Sequence, residues 1–230
     1  MRSFFILLCV AGICLGQLAL NNSQFNAVLN GNLNRNYWLL NERFEGPGYQ
    51  YTWNQTGSTV DPADSNAPLA GTYSLNITEG ISSGRTTNIF TSALPAYGFF
   101  YMRSATIPTG AASQQYIAHF LSGTTNVFSI ALAPFDANNA YLLIESTITN
   151  YFPFTLLTRD AQYAVWWNYD GTNAELYFNA SSFKPVAPLG FVPVNGYAIN
   201  RIILGSTNTS SWQSKFDNVI ISLTNLTGIP

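Results

Sequence analysis

From Asn41 onward the chain is cut into short apolar runs by turn residues, and this limits what it can fold into. The runs read "GTYSLNI", "AYGFFYMR", "QYIAHFL", "NVFSIALA", "AYLLIES", "FTLLTR", "YAVWWNY", "AELYFN", "INRIILG" and "FDNVIISL". Each holds roughly 6–8 residues rich in β-branched or aromatic side chains, bounded by Gly, Pro, Asn, Asp or Ser, which is the pattern of strands between turns. No apolar period of about 3.6 residues is sustained over a helical length. The spacing predicts an all-β fold with few or no helices, in which antiparallel strands form a two-sheet sandwich. Two tight hairpins are expected. One turns at Asp170-Gly171 within "NYDGTNAELYF", the other at Asp136 within "ALAPFDANNAYLLI".

The ends of the chain read differently. "MRSFFILLCVAGICLG", residues 1–16, places one basic residue before a short apolar run and a small residue after it. That is the layout of a secretory signal peptide, and the run is shorter than the ~20 apolar residues a membrane span needs. The expected location is therefore secreted and extracellular, with no membrane span. Both cysteines, Cys9 and Cys14, fall inside this segment, so the mature chain is expected to hold together by its core without disulfides. Only 9% of residues are charged, the net charge is −2, and the Lys and Arg residues are scattered singly. Without a basic stripe, nucleic acid is not an expected partner.

Residues 17–40 are Asn-rich and form an extended N-terminal segment ahead of a domain at 41–230. Its apolar residues, among them Leu18, Leu20, Phe25, Val28, Leu29 and Leu33, are expected to cover the sandwich of their own subunit or to add a strand to a neighbour, a route to self-association. Sequons of the Asn-x-Ser/Thr type stand at Asn21, Asn54, Asn76, Asn179, Asn208 and Asn225, candidates for N-glycosylation.

Three stretches carry a family resemblance. "NERFEGPGYQYTWNQTGSTVDP" with "GTYSLNIT" resembles the opening of secreted laminin-G-like jelly rolls of the concanavalin A-like group. "QYAVWWNYDGTNAELYFN" resembles their central hairpin, and "INRIILGS" with "KFDNVIIS" their closing strands. The likeness spans about residues 41–223. Each piece is degenerate, so its weight rests on the order of all three. Galactose-binding-like sugar modules share the Phe-Glu start and the Asp-Asn-Val ending and are the rival fold; the long middle run of strands favours the jelly roll. The resemblance implies a module that binds sugars, proteins or matrix components.

Within "KFDNVIIS", regular alternation puts Phe216, Asn218 and Ile220 on one face and Asp217, Val219 and Ile221 on the other. Asp217 is expected at the start of the strand, accepting hydrogen bonds from a neighbouring turn. The alternative is a structural calcium ion shared by Glu45 and Asp217. Calcium takes about six to eight oxygen ligands, and no dense acidic loop supplies them. No other cofactor is implied.

Catalytic chemistry has little to stand on. The acids are isolated, and Glu42 and Glu45, three apart, fall on opposite faces of a strand. No pair of carboxylates for glycoside hydrolysis is legible. Gln115 and His119 lie four apart, the wrong spacing for the Gln-x-His strand that the resemblance to alginate lyases would require. His119 is the only histidine, which excludes a histidine zinc site.

A binding face is more legible. Alternation puts Val165, Trp167 and Tyr169 of the central hairpin on one face, with Leu176 and Phe178, as core. Trp166, Asn168, Glu175 and Tyr177 share the other face, an aromatic and polar patch suited to sugars. The alternative is that Trp166 belongs to a second core. Trp53 and Trp212 are further candidates, for packing before binding. The expected function is a non-catalytic, lectin-like glycan- or matrix-binding protein. A structural subunit of an extracellular coat, sheath or fibre is the alternative, and a polysaccharide-degrading enzyme stands third.

Overall fold

A computed structural model describes residues 37–57, 60–78, 84–107, 114–149, 152–180, 183–205 and 212–226. Residues 1–16, and 17–36 of the Asn-rich segment, lie outside these, as do Asn21 and Asn208. The described residues form strands and no helix. In chain order they are β1 (Trp38–Glu42), β2 (Trp53–Thr56), β3 (Val60–Asp64), β4 (Ser74–Thr78) and β5 (Arg85–Ala93). There follow β6 (Ala96–Thr106), β7 (Gln115–Ser122), β8 (Thr125–Pro134), β9 (Asn139–Ser146) and β10 (Phe152–Thr158). The last are β11 (Gln162–Tyr169), β12 (Asn173–Asn179), β13 (Gly190–Pro193), β14 (Ile199–Gly205) and β15 (Gln213–Ser222).

These strands make two antiparallel sheets. An eight-stranded sheet runs β13-β12-β11-β6-β15-β4-β3, with β1 also on β15, and a seven-stranded sheet runs β10-β9-β8-β7-β14-β5-β2. The ten apolar runs of the sequence are all strands here. The polar strand β5 buries Thr86, Asn88 and Phe90 in alternation, and carries no apolar run to announce it. β1 begins ahead of the expected domain boundary at Asn41, and Leu40 is fully buried in the core.

The two sheets meet through aromatic rings. Trp167 of β11 packs against Phe120 and Phe128 of the facing sheet, with ring centroids 4.4 and 5.6 Å apart. Phe128 also meets Tyr169 at 5.6 Å. Burying a ring of roughly 200 Å² at ~25 cal/mol per Å² stabilises by about 5 kcal/mol before entropy losses. Trp167 also lies over Gly98 of β6, where a Cβ would come within 2.1 Å of its ring. That place tolerates no side chain. Both hairpin turns form as expected. Asp170 Oδ1 accepts from the backbone N–H of Thr172 and Asn173, and Asp136 Oδ1 from Asn138 and Asn139, each at 2.7 Å.

The closing strand differs from the expected alternation. β15 starts at Gln213, so Asp217-Asn218 lies in mid-strand and not at its opening. Asp217 faces Tyr101 of β6 but Ile220 faces Phe99, so one extra residue is inserted on β15, a β-bulge. Asn218 takes φ +48, a left-handed conformation that Asn tolerates better than most residues. The bulge resets the faces. Phe216, Val219 and Ile221 enter the core between the sheets, while Ile220 does not.

Asp217 has a use for its position. Its Oδ2 accepts from Ala70 N–H and Ser74 Oγ, both at 2.9 Å, and its Oδ1 from Asn218 N–H at 2.8 Å. The β3–β4 loop is also held by Arg103, Gln162 and Glu45, which bond Ala67 O, Leu69 O and Thr72 N at 2.8, 2.9 and 3.0 Å. Lys215 adds a buried ion pair to Asp64 at 2.8 Å and a bond to Asn66 O. Strands β6, β11 and β15 thus pin this loop with polar side chains. Burial pushes the Asp217 carboxyl up to about 7 against these hydrogen bonds, and the nearby Glu45 charge adds to the rise.

Candidate functional site

The four residues expected to share a face are two directly opposed pairs. β11 and β12 place Trp166 against Tyr177 and Asn168 against Glu175. The face they share is the outer face of the eight-stranded sheet, since Val165, Trp167 and Leu176 point into the core. The expected placement of this hairpin therefore holds.

Trp166 does not join the other three at a surface. It is fully buried. The register lines up Tyr177, Trp166, Phe99 and Ile220 across four strands, and all four are buried. Trp166 and Phe99 have ring centroids 5.2 Å apart. This is a second apolar layer outside the main core. The expectation that Trp166 offers a flat platform for sugar is corrected accordingly: no face of the ring reaches solvent. Its indole Nε1 finds no hydrogen-bond partner among the described residues.

The other three residues form one connected polar network. Asn168 Nδ2 donates to Glu175 Oε2 and to the Tyr177 hydroxyl oxygen, each at 3.0 Å. The Tyr177 hydroxyl donates to Glu175 Oε2 at 2.7 Å. Burial and the adjacent Glu175 carboxylate push the Tyr177 phenol well above its usual range, so it stays a proton donor. Lys184, from the loop after β12, completes the group. Its ammonium donates to Asn168 Oδ1 at 2.7 Å and Asn225 Oδ1 at 2.8 Å, and sits 4.1 Å above the Tyr177 ring. Burial brings the Lys184 amine down to about 8, with Glu175 opposing the shift.

Above this network opens a cleft of about 240 Å³, lined by Tyr177, Lys184, Pro185, Val186 and Asn225. Its walls pair amide and ammonium groups with an exposed Val186 and a proline ring. Lys184 and Asn225 were not expected as partners of the hairpin. They lie 16 residues from Asn168 and 41 from Lys184, respectively, in segments without strand pattern. The only sequence signal at Lys184 is that it is one of few cations in the chain.

The remaining candidates have structural roles. Glu42 is fully buried and accepts from Phe44, Gln50 and Tyr51 backbone N–H groups and from Trp53 Nε1, at 2.9–3.2 Å. Trp212 is buried and donates to Ser104 Oγ at 2.9 Å. Both tryptophans therefore pack. Glu45 and Asp217 both reach the β3–β4 loop, but they accept hydrogen bonds from it, and no third acidic residue or histidine joins them among the described residues. That donor set is too small for calcium. Of the sequons, Asn54 is exposed on the edge strand β2 and Asn225 is exposed beside the cleft. Asn76 and Asn179 are half-buried. The Asn76 Oδ1 accepts from Gln213, and Asn179 Nδ2, the atom a glycan would modify, donates to Phe183 O.

No protein family and no curated protein matches this chain. Solved structures do. The binding domain of botulinum neurotoxin serotype D aligns with TM-score 0.57 at 9% identity, over 85% of this chain and 50% of that one. A type C botulinum neurotoxin structure concerned with interaction with two ganglioside molecules aligns equally well, at 10% identity over 85% and 50%. The binding domain of neurotoxin DC in complex with SialylT gives 0.52 at 10%, over 83% and 48%. The chain spans about half the length of these structures. Likeness at this identity defines a class of fold, the all-β two-sheet antiparallel sandwich. No helix of the described residues is long and apolar enough to cross a membrane.

Proposed function

We propose that this chain is a secreted, non-catalytic glycan-binding protein of the concanavalin A-like, laminin-G-like jelly-roll type, and that the cleft beside Lys184 is its sugar site. The observation that carries this reading is the convergence of Asn168, Glu175, Tyr177, Lys184 and Asn225 under one cleft with an apolar wall. Amide, carboxylate and ammonium groups bond sugar hydroxyls, and Pro185 with Val186 meet the apolar sugar face. Recognition runs through this polar edge and not through stacking on Trp166. The solved neighbours whose descriptions mention gangliosides or SialylT lend the reading support by analogy of fold. An array of neutral glycans probed with the purified protein tests it. Saturable binding to a subset of glycans is expected, and an array blank at high protein concentration refutes it.

A second reading is a structural subunit of an extracellular coat, sheath or fibre. It is favoured by exposed apolar residues at Phe183, Val186, Leu189 and Phe191, around β13 at the edge of its sheet. Size-exclusion chromatography separates the two, because a fibre subunit elutes as a large assembly.

A further inference from the structure

The outer face of the seven-stranded sheet carries a second set of polar groups, remote in the topology from the β11–β12 hairpin. Neighbours in each strand enter the core, among them Phe120, Ile130, Ile144 and Ile202. Alternation therefore turns His119, Ser129, Glu145 and Arg201 outward. The register sets His119 opposite Ser129 and Ser129 opposite Glu145. On its other side His119 lies opposite Ile203, two residues along β14 from Arg201.

Two buried side-chain nitrogens on this face, His119 Nε2 and Arg201 Nε, find no partner among the described residues. Asn126 Nδ2 donates to Ser129 Oγ at 2.9 Å, a shorter contact than the 3.2 Å from Oγ to Asn126 Oδ1. Ser129 Oγ lies 2.9 Å from His119 Nδ1, and which of the two donates depends on the imidazole tautomer. In the tautomer that accepts the Ser129 proton at Nδ1, the imidazole proton sits on Nε2. This Nε2 is buried and finds no partner among the described residues, and the same is true of Arg201 Nε on the adjacent strand. Buried donors are almost always paired, so two together indicate a missing acceptor. Glu145 does not supply it: its carboxylate bonds Gln114 Nε2 at 2.8 Å and the Tyr116 hydroxyl, and neither nitrogen has a hydrogen bond to it. Burial, reinforced by the Arg85 charge and opposed by a hydrogen bond with Asn126, brings His119 down to about 4, so the ring is neutral at neutral pH. The Tyr116 ring packs on the imidazole with centroids 4.5 Å apart.

We propose that this face binds a carboxylate-bearing saccharide, whose carboxylate accepts from Arg201 Nε–H and His119 Nε2–H. Arg85 supplies the further positive charge. Gln114, Asn126 and Glu145 offer the amides and carboxylate that sugar hydroxyls need, and the half-exposed Tyr116 ring offers an apolar surface. The long arginine side chains and Tyr116 are half-exposed and can swing to admit the ligand.

His119 is the only histidine, so histidine-selective carbon-13 labelling of untagged protein yields one ring signal to follow by NMR. At neutral pH, glucuronate is expected to shift it saturably, with glucose giving no shift. Acetate should bind at least about tenfold more weakly than glucuronate, and Arg201→Gln should weaken glucuronate by about tenfold or more. Arg85→Gln, which removes charge without touching the unpaired donors, should weaken it several-fold if Arg201→Gln fails to fold. Lys184→Ala should leave the titration unchanged, which keeps this site distinct from the cleft on the other sheet. The proposal is overturned if folded protein shows no saturable glucuronate shift, if glucose shifts the signal equally, or if acetate matches glucuronate.

Discussion

Trp166→Ala separates a packing role from a binding role for this residue. The ring is fully buried and stands in a row of buried side chains with Phe99, Ile220 and Tyr177. Removing such a ring leaves a cavity, and Trp→Ala changes of this kind cost about 3–5 kcal/mol. In a domain of this size each kcal/mol lowers Tm by roughly 2–4 °C, so a drop on the order of 6–20 °C is expected. Trp166→Phe should cost less than alanine, because it keeps most of the ring and deletes an indole N–H that has no partner among the described residues. Calorimetry on the two variants and the parent measures all three values. A Trp166→Ala protein that melts with the parent would refute the second apolar layer and return Trp166 to the surface.

Other outcomes follow from the same geometry. Asp217 is raised to about 7, so between its unfolded value of about 4 and pH 7 the folded state holds more protons than the unfolded one. Its stabilising contribution is full at the acid end and lost as pH rises through 7. Denaturant melts at about pH 5 and pH 8 should show the parent losing more stability than Asp217→Asn over that interval. Leu40→Ala, in the strand ahead of Asn41, should cost about 2–5 kcal/mol in a thermal melt. A variant beginning at Asn41 should be destabilised at least as much, and an unchanged melt would show that β1 is dispensable. Lys184 loses its proton near pH 8, so glycan affinity measured by calorimetric titration should fall between about pH 7 and pH 9, while a flat profile would exclude its ammonium from the contact.

The strand pattern was legible in the sequence because apolar runs between turn residues report burial directly. The β11–β12 face was legible for the same reason, since period-two alternation and a two-residue turn fix which residues oppose each other. Asn168, Glu175 and Tyr177 come together as that alternation implies. What covers a sheet face is not a local property, and so Trp166 was open to two readings. Lys184 and Asn225 reach the site from loops whose paths depend on tertiary packing. The bulge at Asp217 inverted the expected faces of the closing strand, because one inserted residue reverses every later side chain. Its only local sign was an Asn able to adopt a left-handed φ. β5 was missed because its buried Thr86 and Asn88 read as solvent-facing polarity.

The most direct test of glycan recognition at the cleft is calorimetric titration of the best array ligand into the parent, Lys184→Ala and Asn168→Ala. Both substitutions should weaken binding by about tenfold or more while Tm stays within a few degrees of the parent. Parent-like affinity in both folded variants would contradict the assignment of the cleft as the sugar site.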